Sequence, residues 1–375
     1  MMPEDVLASA YERAANAGDT PVILHQDILE RVRTVVRKKP QAALRTLLAC
    51  LVAKVVQPHV DIRKPYTQIE GDDTYSGRYY DENYIARFLI DYDLPVIPTT
   101  GFLTPAYRAK NIILTPDVNL GGRSPGNRVY GAMLQLLTDV HTNRVSAIDL
   151  LVEVIRQLLL YRDESRQRLE SLLASLEATK GDVPLSAEEI VTLIEQHLAC
   201  KGSSRLPVRI VATAYRAAEN HLNERVLPLE THTAADKQTG ALGDVHIALI
   251  ADDNIVTAYE MKARRVTRED IDLAVRKIAA SDFRLDNYIF ITTEPVSEVV
   301  GEYAKSVYDR LGIEMAILDC ISFLRHFLHL FHRLRTDFLE TYQELVIAEP
   351  ESSVSQPLKE AFVALRRTAE NRDEG

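Results

Sequence analysis

Asp244, Glu260 and Lys262 are the residues of this chain whose types and spacing best suit chemistry. They lie in a stretch, Gly243 to Lys262, whose pattern reads as a β-hairpin. Val245, Ile247 and Leu249 alternate with Asp244, His246 and Ala248, and Val256, Ala258, Glu260 and Lys262 share one face of the return arm. Asp252-Asp253-Asn254 between the arms is a turn composition. A three-residue loop at 251–253 sets Asp244 opposite Glu260, and both carboxylates and Lys262 then face the same way. A four-residue loop turns Asp244 to the other face, because a one-residue slip reverses the whole pattern; a bulge restores it. Two carboxylates that close repel, and a hard divalent cation relieves the repulsion. Mg²⁺ needs only one or two carboxylates when water and phosphate oxygens complete its shell. A neighbouring lysine can orient or deprotonate an attacking water, or stabilise charge on a phosphate. The constellation suits metal-assisted hydrolysis of a phosphodiester.

The flanking elements must hold those residues in place. A helix over 208–226, with apolar Ile210, Ala214, Ala217 and Leu222, precedes the hairpin. After Lys262, Thr267-Arg-Glu-Asp270 has the form of a capping box. Ile271, Val275 and Ile278 follow at helical spacing. A short buried-type strand over 287–293, a helix over 297–310 and a strand over 313–319 complete the run. The fold class is α/β (α+β), with a mixed central sheet flanked by helices.

Helix, hairpin, helix and strand in this order, with Asp244 followed by Glu260-Met261-Lys262, resemble the PD-(D/E)XK nuclease superfamily and its restriction-endonuclease-like core. Asp244 matches the family's aspartate and Glu260-x-Lys262 its E-x-K; Gly243 stands where the family has proline. The resemblance implies that Asp244 and Glu260 bind Mg²⁺, that Lys262 positions or activates the water, and that the product is a 5′-phosphate. It also makes Glu219, on the preceding helix, a candidate third carboxylate for the metal, ahead of Asp236 on the loop before the hairpin; each also reads as an ordinary surface acid.

Residues 61–130 interleave aromatic, hydroxyl and basic side chains in loop-forming sequence. Arg63, Lys64 and Arg78 are candidates for phosphate or guanine contacts, and Tyr66, Tyr75, Tyr79 and Tyr80 for packing against sugars. The segments ending at Arg108 and running from Asn119 to Arg128, the second including Arg123, are further candidates, since glycine-rich basic loops let amides approach phosphates. No Gly-Lys-Ser/Thr ending marks a nucleotide P-loop. Arg-Lys-Pro-Tyr-Thr (63–67), Tyr-Ser-Gly-Arg (75–78), Tyr80-Asp-Glu82, Phe-Leu-Thr-Pro-Ala (102–106) and the run from Ala235 through Thr239-Gly240 to Gly243-Asp244 are together similar to the SacI-like group of type II restriction endonucleases. That similarity spans about residues 60–265. It implies an enzyme that cuts both strands of double-stranded DNA at a short palindrome, hence a homodimer matched to a two-fold site.

The rest of the chain sets bounds. A length of 375 residues suggests two or three domains, and 46% hydrophobic residues suffice for sizeable cores. The expected division is a mainly helical domain over 1–180, a catalytic domain over 186–348 and a polar tail over 349–375, with a short helix at 357–367. Helices are expected over 27–38, 41–56, 130–140 and 146–176, and Ser186-Ala-Glu-Glu189 restarts a helix with a capping pattern. A formal net charge of −10 argues against a purely electrostatic nucleic-acid binder but leaves room for a local basic groove. The basic run Arg31 to Lys39 reads as a solvated helix face. Three scattered cysteines make no disulfide framework, and neither a signal peptide nor a membrane-length apolar run is visible. Those features suggest the cytoplasm. His326, His329 and His332 recur among Phe323, Leu324 and Phe327 and read as partner-facing rather than as a zinc site. His246 falls on the acidic face of the hairpin, a candidate for the DNA-facing cleft; His232 lies just before it. Two other readings stand beside the restriction enzyme: a nuclease of the same fold with a repair or structure-specific task, and a non-enzymatic helical interaction protein.

Overall fold

The computed structural model describes residues 2–97, 99–108, 110–121, 126–178, 184–228, 242–251, 254–281, 285–351 and 353–371. The chain divides into two compact units, Met1–Arg168 and Leu169–Gly375. Among the described residues no helix is long and apolar enough to cross a membrane.

The first unit is helical. It contains α1 (Pro3–Ala17), α2 (Gln26–Arg37), α3 (Ala42–Val56), α4 (Gly77–Tyr80), a π-helical turn Asp81–Ile85 that runs into α5 (Ala86–Asp91), α6 (Gly126–His141) and the start of α7 (Ala147–Ala178). Every residue of α3 from Ala42 to Ala53 is buried, so it is the helix the others wrap. Arg31 pairs with Asp139 at 2.7 Å and Arg37 with Glu164 at 2.6 Å. Arg31 and Arg37 of the basic run are thus engaged in ion pairs within their own unit, while Arg33, Lys38 and Lys39 are exposed.

The second unit is a five-stranded mixed sheet between helical layers. In chain order it holds α8 (Ala187–Leu198), α9 (Leu206–Leu222), β1 (Glu224–Val226), β2 (Val245–Leu249), β3 (Ile255–Lys262), α10 (Arg268–Ala279), β4 (Asn287–Thr292), α11 (Glu298–Leu311), β5 (Glu314–Asp319), α12 (Cys320–Leu330), α13 (Arg335–Ala348) and α14 (Gln356–Glu370). The strands lie side by side in sequence order. β1, β2 and β3 are antiparallel, and β3, β4 and β5 are parallel. On one face Val245, Ile247, Tyr259 and Ile291 join the core built with α8, α9, α12, α13 and α14. On the other, Ala258, Tyr288 and Phe290 pack with Ile271, Ala274 and Val307 of α10 and α11. Both expected capping boxes form: Ser186 with Glu189, and Thr267 with Asp270.

Two features differ from the sequence-based expectation. The boundary between units falls inside α7 rather than after it, because Leu169, Leu172, Leu173 and Leu176 pack into the second core. The C-terminal segment is not a polar tail: Leu358, Phe362 and Val363 of α14 are buried in that same core. α14 also supplies the Leu358 carbonyl that receives a hydrogen bond from Nε2 of the fully buried His197, at 3.0 Å, while Nδ1 accepts from the Tyr342 hydroxyl. Burial pulls the His197 pKa down from 6.5 to about 4, so the imidazole folds neutral. The unfolded chain binds that proton first. Stability is therefore complete above the unfolded value and falls between pH 6.5 and about 4, by about 3 kcal/mol in all. Urea midpoints at pH 7 and pH 4.5 should drop less for His197→Asn than for the unaltered chain; equal drops would contradict this linkage.

Candidate active site

The hairpin has the register that sets Asp244 across from Glu260. Val245 pairs with Tyr259, His246 with Ala258 and Ile247 with Thr257, and continuing this ladder sets Asp244 opposite Glu260. Toward the turn the register shifts, with Ala248 against Ile255, so that Val256 is an extra residue on β3. Val245, Ile247 and Ala248 are the buried positions of β2. Residues 252 and 253, in the expected turn, lie outside the described residues.

Gly243 is fixed by close approach. A Cβ there would sit 2.5 Å from the Tyr259 carbonyl oxygen. Proline and alanine both carry one, so glycine at this position has a local cause. Gly243→Ala should cost about 1–3 kcal/mol, read as a lowered melting temperature; an unchanged melting temperature would mean the strand end yields freely.

At the open end, the Met261 amide donates to Asp244 Oδ2 at 2.7 Å, and the Asp244 amide donates to the Tyr259 carbonyl at 2.7 Å. Glu260 is 8% exposed. Lys262 Nζ is 2.5 Å from its Oε1, Lys277 Nζ of α10 is 3.4 Å from Oε2, and the Tyr288 hydroxyl also donates to Oε2. Burial alone would raise the Glu260 pKa, but the Lys262 and Tyr288 hydrogen bonds and the two lysine charges outweigh it and hold the carboxyl below its usual range. For Lys262 burial works downward, yet the bond to Glu260 and the charge of Asp270, 3.5 Å away, leave its pKa raised. Lys262 is therefore an ammonium at neutral pH, equipped to stabilise or orient rather than to remove a proton. Burial first, then Glu260, Asp244 and Asp270, push the Tyr288 phenol far up, so it stays a donor.

Four of these partners were not singled out from the sequence. Tyr288 lies in a segment that reads only as a strand, Asp270 reads only as the end of a capping box, and Lys277 and Arg205 carry no reading. Asp270 receives Arg264 through both oxygens, at 2.8 and 2.7 Å. Arg205, just before α9, places Nη1 4.0 Å from Asp244 Oδ1. A cleft lined by Glu195, Ser204, Pro207, Ala263, Thr293 and Asp319 lies beyond the carboxyl ends of β3, β4 and β5, and Asp244, Glu260 and Lys262 are not among its lining residues. Burial pushes the Cys320 thiol up to about 12, so it brings no thiolate to the cleft.

Glu219 is not brought to this site. α9 leads directly into β1, whose first residue Glu224 pairs with Leu249 near the hairpin turn. The start of α9 therefore meets Asp244, and Glu219 is displaced about 20 Å along the axis, at about 1.5 Å per residue. The 208–226 helix expected from sequence in fact ends at Leu222 and gives way to β1. Asp236, His232 and the 235–240 run lie outside the described residues, as does Arg123. Among the described residues no group of three or more His, Cys, Asp or Glu is placed to hold a metal ion. The oxygen-only pair Asp244 and Glu260 still meets the one-or-two-carboxylate requirement of Mg²⁺.

The DNA-facing candidates divide. Tyr75 is 3% exposed and donates to the Ile62 carbonyl at 2.6 Å, so it is a core residue of the first unit and not a sugar contact. Tyr80 is likewise buried. Tyr66 donates to the Tyr107 carbonyl at 3.2 Å, Arg63 binds Asp61 at 2.8 Å and Lys64 binds Asp73 at 2.8 Å. These groups tie the loop to itself. Arg78, paired with Glu82 at 2.7 Å, Arg108 and Arg128 are exposed, as is Tyr79. His246 Nε2 accepts from the Gly243 amide at 3.2 Å, beside Asp244. His329 reaches Glu188 at 3.0 Å. No family model matches this chain, and no curated protein matches it.

Proposed function

We propose that the protein is a Mg²⁺-dependent endodeoxyribonuclease, of the type II restriction class that its motifs resemble. The observation that carries the reading is the register of β2 and β3. It sets Asp244 opposite Glu260 and leaves Lys262 2.5 Å from Glu260, at one end of the sheet. Asp244 and Glu260 would hold the metal, which supplies Lewis-acid activation of water and phosphate when bound. Tyr288 and Lys277 fix the Glu260 carboxylate in place. Lys262, protonated, orients the attacking water or meets charge developing on the phosphate. A palindromic target and a homodimer follow from the resemblance, as does the restriction-endonuclease-like core for this mixed sheet.

Incubating the protein with a plasmid of known sequence, with Mg²⁺ and separately with EDTA, tests the reading. Discrete fragments with 5′-phosphate ends, formed only with Mg²⁺, are expected. Cleavage confined to branched or damaged substrates would favour a repair or structure-specific nuclease of the same fold. An inert protein without salt-dependent DNA affinity would favour a non-enzymatic interaction role.

A further inference from the structure

We propose that Arg205 is a phosphate-binding residue of this site, receiving a backbone phosphate of the DNA through its guanidinium fork; this rests on the nuclease reading above. Four cations surround the two carboxylates opposed across the hairpin and their neighbour Asp270. Three of the four are engaged: Lys262 and Lys277 on Glu260, and Arg264 on Asp270. Arg205 differs. Its side chain is only 21% exposed, yet among the described residues its nearest charged partner is Asp244 at 4.0 Å, beyond hydrogen-bond reach. Asp244 is itself committed, since its Oδ2 receives the Met261 amide at 2.7 Å. The contrast with Arg209, one turn further along α9, is direct: that guanidinium meets Glu349 at 2.6 Å.

A guanidinium carries five donors, and covering most of one without hydrogen bonds is unfavourable. An incoming phosphate relieves that cost with the planar, two-pronged geometry that arginine matches best. Its place beside Asp244 puts the fork at the edge of the site from the α9 side, opposite the lysines that come from β3 and α10.

The test uses the full chain and a duplex oligonucleotide in EDTA, with affinity measured from 50 to 200 mM salt, together with cleavage in Mg²⁺. For Arg205→Gln the slope of log affinity against log salt should shrink by about 0.9, the value of one lost phosphate contact on B-DNA. Arg205→Lys, which keeps the charge, should retain the slope. A cleavage rate that falls roughly 100-fold along with the slope assigns Arg205 to the scissile phosphate; a lost slope with the rate kept assigns it to a flanking one. A wild-type slope in a folded Arg205→Gln variant overturns the proposal and leaves Arg205 as a counter-ion of Asp244, with the nuclease reading untouched. If the unaltered protein neither binds duplex nor cuts it, the nuclease reading fails first and the proposal with it.

Discussion

Lys262→Ala is expected to fold, to bind duplex DNA, and to cut it at least about 100-fold more slowly than the unaltered chain. The ammonium touches Glu260 at 2.5 Å and lies 3.5 Å from Asp270, so its loss removes charge from the site. It leaves the fold intact because Glu260 keeps the Tyr288 hydroxyl and Lys277. Asp244→Asn is the companion change. It preserves an acceptor for the Met261 amide while removing the negative charge a divalent ion needs. Cleavage should again be lost while DNA affinity remains. Rates from a plasmid-nicking assay alongside gel-shift affinities separate the two quantities. Normal cutting by either variant removes the centre from its proposed role.

The second large effect concerns the first unit and stability alone. Asp81 is fully buried and paired with Arg45 at 2.7 Å, with side-chain exposures of 0% and 2%. The same carboxylate accepts from the Gly101 amide at 2.8 Å and from the Thr100 hydroxyl. It thereby ties the π-helical turn at 81–85 to α3 and to the segment that follows Pro98. Removing one partner of a buried pair leaves an uncompensated charge, at a cost of about 3–5 kcal/mol. For a unit of this size Asp81→Ala should lower the melting temperature by on the order of 10 °C. Arg45→Met should do the same, because it strands the carboxylate instead. An unchanged transition in both would mean that water reaches the pair.

The motif segments of the first unit converge on this knot, which qualifies the sequence reading. A Cβ on Gly77 would lie 2.4 Å from the Phe102 ring and 2.8 Å from Pro65, so three of the segments that carry the family resemblance meet in one close-packed contact. Their composition alone favours DNA contact. Tyrosine is equally at home in a core when its hydroxyl finds a carbonyl, as Tyr75 does with Ile62. The hairpin, by contrast, was legible because alternation is a strong local signal and one register alone puts both carboxylates on one face. Even its bulge was foreseeable as the device that reconciles turn length with register. Glu219 was misplaced because periodicity gives the face of a helix but not which end meets the strand it precedes. β1 was missed because Glu224-Arg225-Val226 is too short to alternate. Arg205 and Tyr288 acquire meaning only through contacts far along the chain, at Asp244 and Glu260, which no local pattern encodes.

The central claim is that Asp244 and Glu260 share one divalent cation, and it can be tested without knowing the DNA sequence recognised. Titrating Mn²⁺ into the full-length protein and following the free ion by electron paramagnetic resonance should show a bound site that disappears in Asp244→Asn and is displaced by excess Mg²⁺. Identical binding by the two proteins, or none by the unaltered one, would contradict the account.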